Sequence, residues 1–451
     1  MKEFEPCHPS FRLKPIAAGM ALVFAAGVFC VPDQAIAGQQ ALNERADPAP
    51  LMAQQRAKRQ ALVQSRISGD IQASAQLRKE LKALRAQVRA NAHHAVAPAT
   101  AQGGFANTKS ARADVRAQAR DLASGVAQSQ ADMRAQLKAR GAQRMQMRLE
   151  ERGASPARNT GAVPKATHTV TSCADDGSAG TLREVVGAAN AGDVIDLTQL
   201  TCSTITLASG AIWVNDGITI NGPGADALTI DADQTGPIIE FGYSGTLEIN
   251  DVTLTNGRET DWSGGAIWAY QGDVALRNTV ISNSSVEGYY YEVGGAAVVA
   301  YEGNISLENS VISGNAATAD NRGFGALAAL NGTVTLTDSR VVENTVDAYY
   351  EALGGGIFSA DMVTLTRSTV SGNSVISSNE SIAGGIFAMS SASITESEIS
   401  GNQSGDAAGG VFSATGGITL VASRVSGNQT DGYGGGVMVI YGQLSATNST
   451  I

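Results

Sequence analysis

Lysine is absent from Ala166 to Ile451, histidine occurs there once, at His168, and arginine only seven times. A catalytic set built on lysine or on clustered histidines is excluded for this part of the chain. The seven arginines stand mostly alone, at variable positions of the pattern described below. Thirty acids accompany them, giving this body a balance of -23, so binding to nucleic acid phosphates is not expected of it. Aromatics make up 5% of the chain, and no segment beyond the N-terminus is apolar enough to span a bilayer.

The charge of one sign missing from the body sits ahead of it. Between Gly38 and Lys165 there are 22 Lys and Arg against 9 acids, a balance of +13. The chain is thus a basic arm on an acidic body. Before the arm, Lys2, Arg12 and Lys14 precede the apolar run Ile16 to Val31, and the small residues Ala35 to Gly38 follow. This order predicts a signal peptide, residues 1–37, cleaved between Ala37 and Gly38. Cleavage would remove Cys7 and Cys30 and leave Cys173 and Cys202, an even pair in a compartment that permits a disulfide. The alternative reading of the apolar run as a membrane anchor is disfavoured, because it is short and the cleavage site is well placed.

Residues 38–151 read as an Ala/Gln/Arg-rich, helical, partly disordered region. Ile67, Ile71, Leu77, Leu81, Leu84 and Val88 follow one helical face. Val115, Leu122, Val126, Met133 and Leu137 follow another, and so few large side chains cannot build an independent core. The basic face suits a polyanion, but a solvated helix surface accounts for it and is preferred. Residues 152–166 are a linker by composition. Beyond it, Thr181 and Glu184 form a capping box for a short helix from Thr181 to Asn190, lined by Leu182, Val185, Val186 and Ala189.

The remainder repeats itself. Ile249, Leu276, Leu307, Leu336, Leu365, Ile394, Leu420 and Ala446 recur at spacings of 27, 31, 29, 29, 29, 26 and 26. Serines follow at Ser310, Ser339, Ser368, Ser397, Ser423 and Ser449, and asparagines at Asn315, Asn344, Asn373, Asn402 and Asn428. Asn256 and Asn283 come one place sooner in their copies. A glycine-rich phrase such as "GGGIF" separates the copies. Short β runs at this period, broken by Gly and Asn turns, predict stacked coils of parallel strand. The fold class expected over residues 167–451 is therefore all-β, a right-handed parallel β-helix with an N-terminal capping helix and a basic helical arm before it. The asparagine column is expected to adopt left-handed turns and to bridge adjacent rungs. The final "LSATNSTI" stops three residues before the next expected asparagine, which predicts further sequence or a covering partner.

The stretch "TVTSCADDGSAGTLREVVGAANAGDVIDL" resembles the opening module of bacterial exported β-helix proteins. The later "SGN" and glycine phrases are similar to repeats of polymorphic outer membrane proteins and autotransporter passengers. The likeness covers about Thr167 to Ile451 and implies a pectate-lyase-like fold and surface exposure, without an activity.

The loop before each glycine phrase is where the chain carries chemistry-bearing side chains. Acids and aromatics recur there, and in-register stacking would align them along one edge. The candidate stripe is Asp261, Trp262, Glu287, Tyr289, Tyr290, Tyr291, Glu292, Asp347, Tyr349, Tyr350, Glu351, Asp406, Asp431 and Tyr433, with Asp320 and Glu380 in the same loops. Aromatic faces beside carboxylates suit sugars. Loop packing alone is the simpler account. No cofactor or metal is expected; calcium is the only cation the carboxylates would suit. Tyr270, Tyr301 and Tyr441 form a shorter column after the glycine strand. The expected function is an exported scaffold, adhesin-like or passenger-like, on the outer membrane surface or outside the cell. Its partners would be a glycan or host-surface ligand and the outer-membrane translocation machinery. No catalytic residues are assigned, and the alternative is a polysaccharide lyase or hydrolase on the same solenoid.

Overall fold

A computed structural model describes residues 135–136, 138–150, 165–288 and 292–451. The expected signal peptide, most of the basic arm, the linker residues 152–164 and Tyr289 to Tyr291 lie outside the described residues. The chain divides into two compact units, Met1–Val126 and Ala127–Ile451, and everything described belongs to the second.

That unit is a right-handed parallel β-helix of about ten turns. Its first face has eleven strands, from Thr167–Thr169 to Leu444–Thr447. The second face runs in nine strands from Thr204–Thr206 to Arg424–Ser426, and the third in nine from Ile212–Val214 to Val437–Val439. Alternation of apolar and polar residues makes each strand bury one side against the axis of the coil. Ile249, Leu276, Leu307, Leu336, Leu365, Ile394, Leu420 and Ala446 are successive partners on the first face, so the repeat spacing is the register. All but Ala446 are buried. Each such leucine contributes roughly 1.5–3 kcal/mol by burial.

Two polar ladders run beside this core. Each serine Oγ accepts the backbone N–H of its counterpart one rung earlier, as Ser310 does for Thr279, Ser339 for Ser310 and Ser368 for Ser339, and donates to the carbonyl two residues back. The asparagines do more. Asn373 Oδ1 accepts both the N–H and the Nδ2 of Asn344 at 3.0 and 2.9 Å, while its own Nδ2 reaches Val341 O and Asn402 Oδ1. Asn315, Asn344, Asn373 and Asn402 are fully buried, so these bonds satisfy groups that water cannot reach.

The left-handed turn is not made by the ladder asparagines, contrary to the sequence expectation. It falls on the residue before each: Gly314, Glu343, Gly372, Gly401 and Gly427, with φ between 58° and 66°. In the two earliest copies Asn256 and Asn283 take that turn position, at φ 57° and 54°. Gly257 and Ser284 then occupy the ladder column, Gly257 donating to Ser284 Oγ and Ser284 to Asn315 Oδ1. The one-residue offset in the repeat therefore marks two different tasks for asparagine. The turn needs positive φ, which Asn tolerates, and the ladder needs an amide facing inward.

Between the second and third faces the chain makes an excursion. Outgoing strands form a seven-stranded sheet from Arg258–Thr260 to Gln429–Thr430, and three returning strands pair as Arg322–Phe324, Glu351–Leu353 and Glu380–Ile382. Val286, Val293, Ala317, Val346 and Val375 fill a small second core beneath them. The return to the third face is tight: a Cβ on Gly355 would stand 2.4 Å from Gly384 O, so only glycine fits.

Among the described residues there are two helices. One spans residues 138–150 (α1). The other, Leu182–Ala188 (α2), is capped by Thr181 and packs Leu182, Val185 and Val186 onto the first rungs. Glu184 N donates to Thr181 Oγ1, and Glu184 Oε2 accepts from Gly180 N. Arg183 latches this cap: it makes a two-pronged contact with Asp175 and donates to Gly210 O and Ala211 O. Cys173 and Cys202 are joined by a disulfide that closes the same corner.

Candidate functional site: an acidic edge and its docked basic helix

The middle residues of the third-face strands form one column: Trp213, Glu240, Trp268, Val299, Ala328, Phe358, Phe387, Phe412 and Met438. Their strand neighbours belong to the axial core and they do not, so the column faces outward. It is buried nonetheless from Trp213 to Phe412. At the later rungs the excursion covers it, with Phe324 against Phe358 at 4.6 Å between ring centroids. At Trp213, Glu240 and Trp268 the cover is α1.

The face of α1 that docks carries Arg140, Arg144 and Arg148, four residues apart, with Gly141 and Met145 beside them. Steps of four return to nearly the same side of a helix. Arg144 is 1% exposed. Its Nη2 lies 2.7 Å from Glu240 Oε1 and 2.5 Å from Glu259 Oε2, and Nη1 donates to Ser263 O at 2.7 Å. Its guanidinium stands 4.7 Å from the ring centre of Trp268 and 5.9 Å from that of Trp262. Arg148 also binds Glu240, at 2.7 Å. Arg140 donates to Glu292 O at 2.6 Å and Asp261 O at 3.3 Å, and lies 5.5 Å from the Trp262 ring. Lys138 pairs with Glu302 at 3.1 Å in a more exposed contact. A Cβ on Gly141 would stand 2.6 Å from Tyr301 and 3.2 Å from Tyr270, so the absent side chain is what lets the helix rest on those rings.

Burial raises the Glu259 carboxyl above its ordinary value, and Arg144 opposes that rise. Buried charges are tolerated only when paired, and Arg144 and Arg148 are the cations that pair with Glu240 and Glu259 among the described residues.

The stripe expected from sequence is not one line. Glu287 and Asp347 lie on outgoing strands, in a column with Thr318 between them. Glu292 and Glu351 lie in the returning column, where Arg322 stands between them and Glu380 follows. Arg322 binds Glu351 at 2.5 Å and Glu292 at 2.8 Å, and Glu351 is 3% exposed. These acids serve a buried ion-pair ladder. Among the described residues Arg322 makes its ion pairs with Glu292 and Glu351, and Glu380 feels it only at longer range. Burial, then the charges of Glu351 and Asp406, push its carboxyl up to about 8 against the pull of Arg322, and its Oε2 is buried without a hydrogen bond among the described residues. Asp406 Oδ2 accepts from Ser381 N at 2.8 Å. Asp261 and Trp262 lie under α1. Tyr350 and Tyr433 are half exposed or more, at 50% and 58%, Asp431 is exposed, and Tyr349 packs edge-on against Tyr350.

The shorter tyrosine column is also revised. Tyr301 N donates to Ala269 O, which aligns Tyr301 with Tyr270; Ile440, not Tyr441, continues that column, through Ala414. Arg140, Arg144, Arg148 and Arg322 were not singled out from the sequence. The spacing of four in α1 was the available signal; for Arg322 it was the repeat period, since Glu292 and Glu351 lie 30 and 29 residues away, one rung to either side.

Fold and site define a parallel β-helix whose acidic side carries a basic helix of its own chain. No family model, curated protein or solved structure matches this chain.

Proposed function

We propose that this chain is an exported β-helix scaffold that works at the cell surface or outside the cell, and that the open part of its edge contacts a glycan or host-surface ligand. The observation that carries the reading is the exposure of Tyr350, Asp431 and Tyr433 on one side of the solenoid, beyond the stretch that α1 covers. Aromatic faces beside carboxylates bind sugar rings through stacking and hydroxyl hydrogen bonds. The resemblance to exported β-helix proteins supports the location. A glycan array probed with the full chain tests the contact, with a Tyr350→Ala/Tyr433→Ala double variant as control. Binding that persists unchanged in that variant sinks the assignment to this edge.

A second reading, polysaccharide hydrolysis at the same edge, draws on Glu380. A carboxyl raised to about 8 with two other acids close by offers the protonated partner that glycoside hydrolysis uses. Turnover of any polysaccharide by the wild type, abolished in Glu380→Gln, would establish it.

A further inference from the structure

We propose that the α1 groove is an exchangeable docking site, which accepts the basic helix of a second copy of this chain in place of its own, so that copies link arm to solenoid. This is independent of the reading of the open edge.

The groove is built for one ligand chemistry. Two buried carboxylates, the Ser263 carbonyl and the Trp268 ring converge on a single guanidinium, that of Arg144. Everything that recognises the helix is carried on α1 itself, so a helix of the same sequence from another chain presents the same contacts. If α1 leaves, Glu240 and Glu259 lose the cations that pair with them among the described residues and are opened to water. The vacated groove keeps its two carboxylates, carbonyl and indole ring in place, complementary to any helix that carries the same arginines.

The helix is equally dependent on the groove. The described part of the helix, residues 138–150, is of a length at which an isolated helix is only marginally stable in water. Its tie to the first rung passes through residues 151–164, fourteen residues that span up to about 45 Å when extended. A connection of that length is long enough for the helix to meet the groove of its own solenoid or that of a neighbouring copy. The arm's balance of +13 against the body's -23 draws arm to body between chains as well as within one. Exchange of an identical element between copies needs no new interface, only competition with the tethered helix, whose effective concentration is on the order of millimolar.

Two full-length variants separate the halves of the contact. One carries Arg144→Met, leaving the groove intact and the arm weakened; the other carries Glu240→Gln and Glu259→Gln, leaving the arm intact. Each alone should sediment as a monomer, and their mixture should form a one-to-one pair at tens of micromolar, displaced by excess peptide spanning residues 135–150. The labelled peptide should bind the Arg144→Met chain about tenfold or more tighter than the Glu240→Gln/Glu259→Gln chain. If Arg144→Met loses its β signal in circular dichroism, Arg144→Lys replaces it, keeping the charge but not the fork. Failure of the mixture to pair overturns the proposal, even if the peptide binds, since the helix would then act only within its own chain. Failure of the peptide to bind overturns it also.

Discussion

The guanidinium of Arg144 lies 4.7 Å from the ring centre of Trp268, a residue more than a hundred positions later, and both side chains are shut off from solvent. Replacing Arg144 with Ala removes the stacked cation and strands Glu240 and Glu259. A loss of about 3–5 kcal/mol is expected, the usual consequence of breaking a buried pair from one side. Hydrogen exchange across residues 138–150 should accelerate to that of an unprotected chain. Because Glu259 is already raised by burial, with Arg144 opposing, its removal favours protonation, so the defect should be smaller at pH 5 than at pH 8.

Asn373 sits mid-ladder with every amide group engaged. Asn373→Ala should lower stability by about 2–4 kcal/mol, because several buried partners are left unsatisfied at once. Asn428→Ala, near the exposed final rung, should cost less. Denaturant midpoints of the two variants give the comparison, and equal losses would show that the ladder does not act as a buried network.

Glu380 makes the fold sensitive to alkali. Unfolded, its proton leaves near 4.5; folded, near 8. Between those values the native state holds a proton the unfolded chain has lost, so stability falls as pH rises through this window and levels off above it. Glu380→Gln should abolish the slope and be more stable than wild type at pH 9, by roughly 1–3 kcal/mol. Thermal melts at pH 5, 7 and 9 read this directly.

Asp193 acts in the opposite range. Burial would raise it, but the N–H groups of Ala166 and Asn190 and the ring of His168 outweigh burial and hold it at about 2. Its contribution is complete above about pH 4 and is lost as pH falls toward 2. Asp193→Asn should remove about 2 kcal/mol at neutral pH and flatten acid unfolding in that window.

The Cys173–Cys202 bridge closes a separation of 29 residues at the capped end. Its reduction should cost about 3–4 kcal/mol by the loop-entropy estimate. Protection of α2 and the first strands should fall first, measurable by hydrogen exchange with and without reductant.

How far the sequence could be read differed from one kind of contact to another. The leucine, serine and asparagine columns were legible because a solenoid turns sequence period into spatial neighbourhood: residues one period apart are in contact. The left-handed residue before each ladder asparagine was not separated from it. Glycine, asparagine and Glu343 all take that position, so no residue type marks it. The edge was only half legible. Aligned acids were visible as a stripe, yet the excursion goes out and back, which divides them into two columns and turns Glu292 and Glu351 toward Arg322.

The sequence by itself determined the solenoid, its period, its register and its capping helix, since these follow from local alternation, turn residues and repetition. Only the tertiary structure decided what happens to the charges. Whether an acid faces water or a buried arginine depends on contacts between segments about thirty residues apart in the Arg322 ladder and about a hundred in the α1 groove. A basic helix, residues 138–150, that composition would leave in solvent is instead drawn onto the outward column of Trp213, Glu240 and Trp268. There the solenoid has no covering strands of its own, and two buried carboxylates require a cation.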